Sequence, residues 1–221
     1  MTSSSPPCFA HELAENPDGS FSVVDEEQRR DVMRWRKAER QRLIEARLAV
    51  SAADRQQMSQ AIAASLTGEF GDIHGQTISF YWPFRGEPDL RPLMAQLSER
   101  EAICALPIVT AKGQPLTFRS WRQGEELERG IWNIPVPAKG EAVTPDIVIA
   151  PVVGFDPACF RLGYGGGFFD RTLAAMRKKP RVLGVGYALQ AIPTIYPQPY
   201  DIPMDCIVTE AGIIRPKPGA A

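Results

Sequence analysis

A glycine-rich run flanked by charged residues has the residue types and spacing best suited to bind an anion. The run is Arg161-Leu-Gly-Tyr-Gly-Gly-Gly-Phe-Phe-Asp-Arg171. Glycines carry no side chain, so the backbone can approach phosphate oxygens closely, and Arg161 and Arg171 can add charge-assisted hydrogen bonds. Asp170 can be a magnesium ligand, since Mg²⁺ usually takes one or two carboxylates together with phosphates and water. The run therefore predicts an anion site with a magnesium carboxylate.

Two common phosphate-binding patterns do not describe this run. No Gly-Lys-Ser/Thr follows the glycines, which excludes a Walker A loop, and the third glycine of the dinucleotide fingerprint would fall on Phe168. A structural turn is the alternative reading of the glycines, and helix capping is the alternative role of Asp170. The flanking arginines and Asp170 together favour a binding site.

The elements around the run place it where ligands bind in layered α/β proteins. The apolar stretch 146–155 predicts a strand buried on both faces. Phe169, Leu173 and Met176 mark one face of a helix that starts at about Phe168. Ligands of open α/β sheets lie beyond the carboxyl ends of the strands, and a helix N-terminus offers free N–H groups to an anion.

The rest of the chain alternates between helical and strand patterns. Helices are predicted over 27–50, 51–66 and 90–100, and strands over 76–84, 102–109, 116–121, 181–187 and 206–209. Ser51 is expected to cap the second helix, and the proline-rich segment 130–140 cannot be regular throughout. The alternation predicts an α/β fold of three layers, in which a mostly parallel sheet lies between two layers of helices.

Residues 29–215 are predicted to form a single domain, preceded by an extension over 1–28 and followed by a tail over 216–221. The extension is rich in Ser, Pro and acidic residues and is predicted to be poorly ordered. It has no basic-then-apolar signal pattern, and no apolar run approaches the roughly 18 residues that span a bilayer. We therefore expect a cytoplasmic protein without membrane contact.

Composition excludes several kinds of chemistry. The net charge is −1, which is unlike a polycation that binds nucleic acid. Only His11 and His74 are present, so a mechanism built on several histidines is excluded, and His74 is expected at the surface. The four cysteines, Cys8, Cys104, Cys159 and Cys206, form no CxxC pair, which opposes a zinc site or a disulfide framework. Cys104, Cys159 and Cys206 lie in or beside apolar runs and are predicted to be buried structural thiols.

Four motifs in a fixed order resemble those of a known family. They are the basic helix from Arg36, the segment Tyr81-Trp-Pro-Phe-Arg-Gly-Glu-Pro-Asp89, the stretch from Gly154 through the glycine-rich run, and Asp201-Ile-Pro-Met-Asp205. Over roughly residues 30–215 the chain resembles the 5-formyltetrahydrofolate cyclo-ligase (methenyltetrahydrofolate synthetase) family. The resemblance implies a Rossmann-like fold of the NagB/RpiA/CoA-transferase type. It also implies a reaction in which ATP and Mg²⁺ convert 5-formyltetrahydrofolate to 5,10-methenyltetrahydrofolate, ADP and phosphate.

The resemblance also assigns roles to individual residues. It implies that the catalytic residues are Arg161 and Asp170. The implied ATP contacts are Arg36, Lys37, Arg40, Arg161, Gly163, Tyr164, Gly165, Gly166, Gly167, Phe168 and Phe169. The implied substrate contacts are Trp82, Glu87, Tyr164, Gly166 and Phe168. The implied magnesium ligands are Asp170 and Asp201. The expected partner is the folate, with or without a polyglutamate tail, and the expected assembly is a monomer.

The residues alone leave other readings open. The basic helix can be a solvated face or a nucleic-acid contact, although the near-zero net charge opposes the latter. Trp82 can be a core aromatic, Glu87 a loop carboxylate and Asp201 a turn residue. A divergent member that binds nucleotide or folate without cyclising the formyl group is the alternative function.

The chain departs from the family pattern at three places. Phe168 and Phe169 stand where the family commonly has two tyrosines, Val136 stands near a usual glutamate, and Tyr200 replaces a usual histidine. None of these changes removes a proposed phosphate or metal group. They bear on the contacts with the folate.

Overall fold

The computed structural model describes residues 14–15, 21–22 and 26–216. Within these residues there are four α-helices: α1 (Glu26–Ala49), α2 (Ala52–Phe70), α3 (Arg91–Glu99) and α4 (Phe168–Ala175). The strands are β1 (Ala14–Glu15), β2 (Phe21–Ser22), β3 (Thr77–Ser79), β4 (Ile103–Ile108), β5 (Thr117–Ser120), β6 (Leu127–Arg129), β7 (Pro135–Pro137), β8 (Ala142–Val143), β9 (Ile147–Pro151), β10 (Gly154–Phe155), β11 (Arg161–Leu162), β12 (Arg181–Val185), β13 (Cys206–Thr209) and β14 (Gly212–Ile214).

An eight-stranded mixed sheet forms the centre of the fold, in the order β14-β13-β12-β9-β3-β4-β5-β8. The five central strands, from β13 to β4, run parallel, while β14, β5 and β8 add antiparallel edges. This arrangement confirms the predicted α/β fold with a mostly parallel sheet.

Helices cover both faces of the sheet. Ile147 and Ile149 of β9 pack into a core cluster with α2 and α3. Val148 and Ala150, the alternate residues of the same strand, pack with Leu173 of α4. Because successive strand residues point to opposite faces, a continuous apolar strand requires helices on both sides. The layers therefore follow the pattern predicted from the sequence.

Helix α2 begins as predicted but ends later. The Ser51 hydroxyl accepts a hydrogen bond from the Asp54 amide at 3.1 Å, which confirms the N-cap. The predicted end near Leu66 is wrong, since the helix continues through Gly68 to Phe70. Both Leu66 and Phe70 are buried in the core. Their burial outweighs the cost of about 1 kcal/mol for a glycine inside a helix.

The stretch predicted as one strand over 146–155 is two strands. β9 ends at Pro151, and β10 pairs antiparallel with β11 instead of continuing in the main sheet. A Cβ atom on Gly154 would lie 2.6 Å from Leu43 of α1, so only glycine permits this close approach. The β10–β11 hairpin makes Arg161, predicted as part of a loop, a buried strand residue.

The proline-rich segment and the three residues before it form a hairpin that the sequence did not predict. β6 and β7 pair antiparallel, with a 3₁₀ turn at Ile131–Asn133 between them. Trp132 and Asn133 have left-handed backbone angles, with φ of 56° and 62°. Prolines usually argue against a strand, so the sequence did not predict one over Pro135–Pro137. A proline is nevertheless compatible with a strand where its nitrogen is not needed for a hydrogen bond between the strands.

The structure also bears on the predictions for the cysteines, His74 and the N-terminal extension. Cys104, Cys159 and Cys206 are buried free thiols, as predicted. His74 is exposed and lies 3.0 Å from Glu101. Within the predicted extension, β1 and β2 pair antiparallel. Most other residues of the extension, including Cys8 and His11, lie outside the described residues. None of the described helices is long and apolar enough to cross a membrane.

Candidate functional site

A cavity of about 860 Å³ lies at the carboxyl ends of β3, β4 and β9. Its lining includes every predicted site residue except one: Arg36, Arg40, Trp82, Glu87, Arg161, Gly163, Tyr164, Gly165, Gly166, Gly167, Phe168, Phe169, Asp170 and Asp201. The exception is Lys37, which is exposed on α1 and does not line the cavity. Of the three basic residues of α1 that the resemblance assigns to ATP, the structure therefore places Arg36 and Arg40, but not Lys37, in the cavity wall.

The glycine loop, residues 163–167, has a backbone that other residue types would strain. Gly165 and Gly167 have φ of 94° and 62°, in the left-handed region that favours glycine. Gly167 is also the N-cap of α4, so the loop leads directly into a helix N-terminus. Arg40 donates from Nε to the Gly163 carbonyl at 2.7 Å, which ties the loop to α1.

Three arginines give the loop a surplus of positive charge. The Nε atoms of Arg161 and Arg171 are buried and have no hydrogen-bond partner among the described residues. Burial, and then the nearby Arg36 charge, lower the pKa of Arg40. Unpartnered buried donors and crowded cations are costly in the absence of an anion. These residues therefore fit a polyphosphate group.

Phe168 and Phe169 support the arginines of the loop. The Arg161 guanidinium lies 5.0 Å from the ring centre of Phe169, and that of Arg171 lies 5.5 Å from Phe168. Such contacts are cation–π interactions, which need an aromatic face and no hydroxyl. The two phenylalanines thus hold the cationic side chains although they lack the phenolic groups common in the family.

The two predicted magnesium carboxylates, Asp170 and Asp201, line the same cavity. Asp170 Oδ2 lies 2.9 Å from Arg161 Nη2, and its Oδ1 accepts from the amide of Ile202. Asp201 Oδ2 accepts from Arg36 Nη2 at 2.5 Å. No group of three or more His, Cys, Asp or Glu suited to a metal occurs in the described ranges. Two carboxylates beside an arginine-rich loop suit Mg²⁺, which usually takes one or two carboxylates and completes its shell with phosphate and water.

Glu87 is a buried carboxylate in the lining of the same cavity. Its side chain accepts from the Phe84 amide at 2.9 Å and from the Tyr164 hydroxyl at 2.8 Å. Burial raises the pKa of Glu87 to about 7, while the Arg47 charge and these two hydrogen bonds oppose the rise. A carboxylate in this setting can accept hydrogen bonds from N–H groups of a ligand.

The apolar wall of the cavity is aromatic. Trp82 lines the cavity and also packs edge-on against Trp121, with ring centres 5.8 Å apart, so both of its predicted roles are compatible. Trp132, which the sequence did not single out, is exposed, and its ring centre lies 5.5 Å from that of Phe168. Its position on an unpredicted hairpin is the reason that it was missed. This wall suits a flat ring system.

Sequence reasoning also missed Arg47, which is completely buried on α1. Its Nη2 donates to the Tyr164 hydroxyl at 2.7 Å. A signal was available in the spacing of Arg36, Arg40 and Arg47. Residues separated by four and eleven positions return to nearly the same side of a helix with 3.6 residues per turn.

Comparison with known proteins agrees with this geometry. Residues 32–210 match the model of the 5-formyltetrahydrofolate cyclo-ligase family. The chain belongs to this family. A 5-formyltetrahydrofolate cyclo-ligase of Mycolicibacterium smegmatis is 31% identical over 184 residues, which cover 78% of this chain and 92% of the relative. The Escherichia coli K12 cyclo-ligase is 29% identical over 174 residues, covering 76% and 96%.

Solved structures of synthetases show the same fold. The NMR structure of the Aquifex aeolicus 5,10-methenyltetrahydrofolate synthetase superposes with a TM-score of 0.71 at 29% identity, covering 82% of this chain and 93% of that one. A synthetase from Mycoplasma pneumoniae superposes with a TM-score of 0.66 at 20% identity, covering 79% and 98%. At that lower identity the likeness concerns the fold alone. The family's architecture is thus the one described above.

Proposed function

We propose that this family member is a cyclo-ligase that uses ATP and Mg²⁺ to convert 5-formyltetrahydrofolate to 5,10-methenyltetrahydrofolate, with release of ADP and phosphate. The observation that carries the proposal is the content of one cavity. An arginine-rich glycine loop, two carboxylates and a buried glutamate beside an aromatic wall all line the same space. These are the groups needed to hold a polyphosphate, a magnesium ion and a polar ring.

The phosphate end of the cavity is the glycine loop with its arginines. Arg40, Arg161 and Arg171 supply positive charge, and the backbone of the loop and the N-terminus of α4 supply N–H donors. Asp170 and Asp201 would hold Mg²⁺ together with phosphate oxygens. Bound Mg²⁺ would neutralise the charge on the phosphates during transfer.

The folate end of the cavity is formed by Glu87 and the aromatic wall. The Glu87 carboxylate would accept hydrogen bonds from ring N–H groups, and Trp82 would contact the flat ring. Tyr164 spans the two ends, because it belongs to the glycine loop and its hydroxyl donates to Glu87. The two substrates would therefore meet at the loop.

The chemistry proposed for this site proceeds in two steps. The formyl oxygen attacks the γ-phosphate of ATP, which releases ADP and leaves the formyl carbon activated. N10 of the folate then attacks that carbon and loses its proton, and phosphate departs with the former formyl oxygen and can carry that proton away. Transfer of this kind depends mainly on positioning and charge neutralisation. It needs no histidine, and no histidine lines the cavity in the described part of the chain.

We also propose that the chain acts as a monomer in the cytoplasm. All of the groups assigned to the reaction belong to one chain and one cavity. The three described cysteines are free thiols, as is usual in a reducing compartment.

A direct assay tests the proposal. The protein is mixed with ATP, Mg²⁺ and 5-formyltetrahydrofolate, and the absorbance of the methenyl product is followed. Product is expected only when all three are present, and chelation of the metal should stop the reaction. Absence of ATP-dependent product at high enzyme concentration would refute the activity. Binding of both substrates without product would instead indicate a divergent member.

A further inference from the structure

Glu87 lies on a tight turn with an unusual backbone. Arg85 and Gly86, its two central residues, have φ of 48° and 75°. The Glu87 amide donates to the Phe84 carbonyl at 3.2 Å, and the Phe84 amide donates back to the Glu87 side chain at 2.9 Å. A non-glycine residue in the left-handed region costs free energy and needs support from its surroundings. The direction of the Glu87 carboxylate therefore depends on what holds this turn.

Arg47 of α1 is the side chain that holds it. Its Nε donates to the Arg85 carbonyl at 2.9 Å, inside the turn. Its Nη2 donates to the Tyr164 hydroxyl at 2.7 Å, and its Nη1 reaches the Val152 carbonyl at 3.4 Å. One guanidinium thus joins the Glu87 turn, the glycine loop and the segment after β9. Its planar, rigid set of donors is suited to such a three-way contact.

Tyr164 completes the link between Arg47 and Glu87. Its hydroxyl accepts from Arg47 and donates to Glu87 Oε1 at 2.8 Å. Arg47 is fully buried and forms no direct ion pair among the described residues. The negative charge that balances it is that of Glu87, whose pKa the Arg47 charge lowers. A buried cation without a counter-charge is costly. The three side chains are therefore coupled.

We propose that Arg47 is a positioning residue of this enzyme, which aims the Glu87 carboxylate at the folate through the turn backbone and the Tyr164 hydroxyl. Arg47 does not line the cavity and acts only through these neighbours. The inference rests on the proposed function, since it assigns Glu87 to the folate. It adds a residue from outside the cavity to the determinants of folate affinity.

Affinity for 5-formyltetrahydrofolate without ATP gives the cleanest test, because no turnover can occur. Calorimetry is performed on wild type, Arg47→Met, Arg47→Lys and Tyr164→Phe, with Arg30→Met as a control from an exposed pair on the same helix. Arg47→Met should weaken binding roughly 10- to 100-fold, as expected for loss of a charged hydrogen bond. Tyr164→Phe should weaken it roughly 10-fold. Arg30→Met should bind like wild type.

Two further readouts separate positioning from a general loss of structure. The double variant Arg47→Met/Tyr164→Phe should bind no more weakly than Arg47→Met alone, because both changes break one network. The pH at which folate binding is half-lost should move upward in Arg47→Met, since a cation near Glu87 is removed. If Arg47→Met does not fold, Arg47→Lys and Tyr164→Phe carry the same test with smaller changes.

The inference and the proposed function fail in distinguishable ways. Wild-type affinity and an unmoved pH midpoint in Arg47→Lys and Tyr164→Phe would overturn the positioning role even if the wild type forms product. Multiplying effects in the double variant would also overturn it. Absence of product from the wild-type enzyme would refute the cyclo-ligase activity alone.

Discussion

Glu87 is the residue whose protonation should set the pH dependence of folate binding. Its pKa of about 7 results from burial, and the titratable or charged groups facing it are Arg47, Tyr164 and Tyr81. Above pH 7 the carboxylate is ionised and can accept hydrogen bonds from the ring; below it the carboxyl is neutral. The dissociation constant of 5-formyltetrahydrofolate, measured without ATP, should therefore rise as the pH falls below 7, approaching tenfold per pH unit.

Glu87→Gln provides the control for this pH effect. The amide keeps the shape of the side chain but has no carboxyl proton to gain or lose. The variant should bind the folate weakly and with little pH dependence between pH 6 and 8. An unchanged pH profile in Glu87→Gln would show that another group titrates.

Arg40 and Lys37 differ in position although both are basic residues of α1. Arg40 lines the cavity and donates to the glycine loop, whereas Lys37 is exposed. Arg40→Ala should raise the KM for ATP roughly 10- to 100-fold, with a smaller effect on the KM for the folate. Lys37→Ala should leave both constants unchanged. Steady-state kinetics decide, and equal effects of Arg40→Ala on both substrates would point to misfolding.

Asp170 is expected to contribute through its charge. Asp170→Asn keeps the shape of the side chain but weakens both a magnesium ligand and the partner of Arg161. Turnover should fall roughly 100-fold or more, and the Mg²⁺ concentration for half-maximal rate should rise. Asp72→Asn, an exposed position outside the cavity, is the matched control. An unaltered magnesium titration in Asp170→Asn would argue against ligation.

At the residue scale, the sequence predicts which charged residues belong to the site better than it predicts the side chains that surround them. Arg161, Asp170 and Glu87 were predicted from motif and family resemblance, and all line one cavity. The support that Phe168 gives to Arg171 and the role of Arg47 were missed. Both depend on side chains brought together from distant segments, and no local pattern records such contacts.

Two glycines in different elements should respond oppositely to the same substitution. Gly167 begins α4 with φ of 62°, and an added Cβ would meet Arg171 at 2.9 Å. Gly167→Ala should lower the free energy of unfolding by about 1 kcal/mol and raise the KM for ATP. Gly68 is exposed inside α2 with open space around it, so Gly68→Ala should stabilise the protein by up to about 1 kcal/mol. Urea unfolding measures the free energy of unfolding of both variants, and a change of the same sign in the two would contradict this prediction.

At the element scale, periodicity predicted the type of the long elements better than their ends. The end of α2 was misplaced because burial of Phe70 overrides the breaking tendency of Gly68. The stretch 146–155 is uniformly apolar, so its division into β9 and β10 leaves no trace in hydrophobicity. The close approach of Gly154 to Leu43 of α1 accompanies this division, and it is a tertiary feature.

At the scale of the whole molecule, the position of the site followed from fold class. A parallel sheet with helices on both faces directs ligands to the carboxyl ends of its strands, and the cavity lies there. Which groups share that cavity could not be derived in the same way. Glu87 and the glycine loop are separated by about eighty residues along the chain, and the pairing of β3 with β9 and the contacts of Arg47 bring them together.

The proposed reaction depends on phosphorylation of the formyl oxygen by ATP. Its most direct test is to supply 5-formyltetrahydrofolate carrying ¹⁸O in the formyl group and to analyse the inorganic phosphate released with the methenyl product. One ¹⁸O atom is expected in each phosphate, because the formyl oxygen leaves attached to phosphorus. Phosphate without the label, formed together with the methenyl product, would rule out phosphorylation of the formyl oxygen.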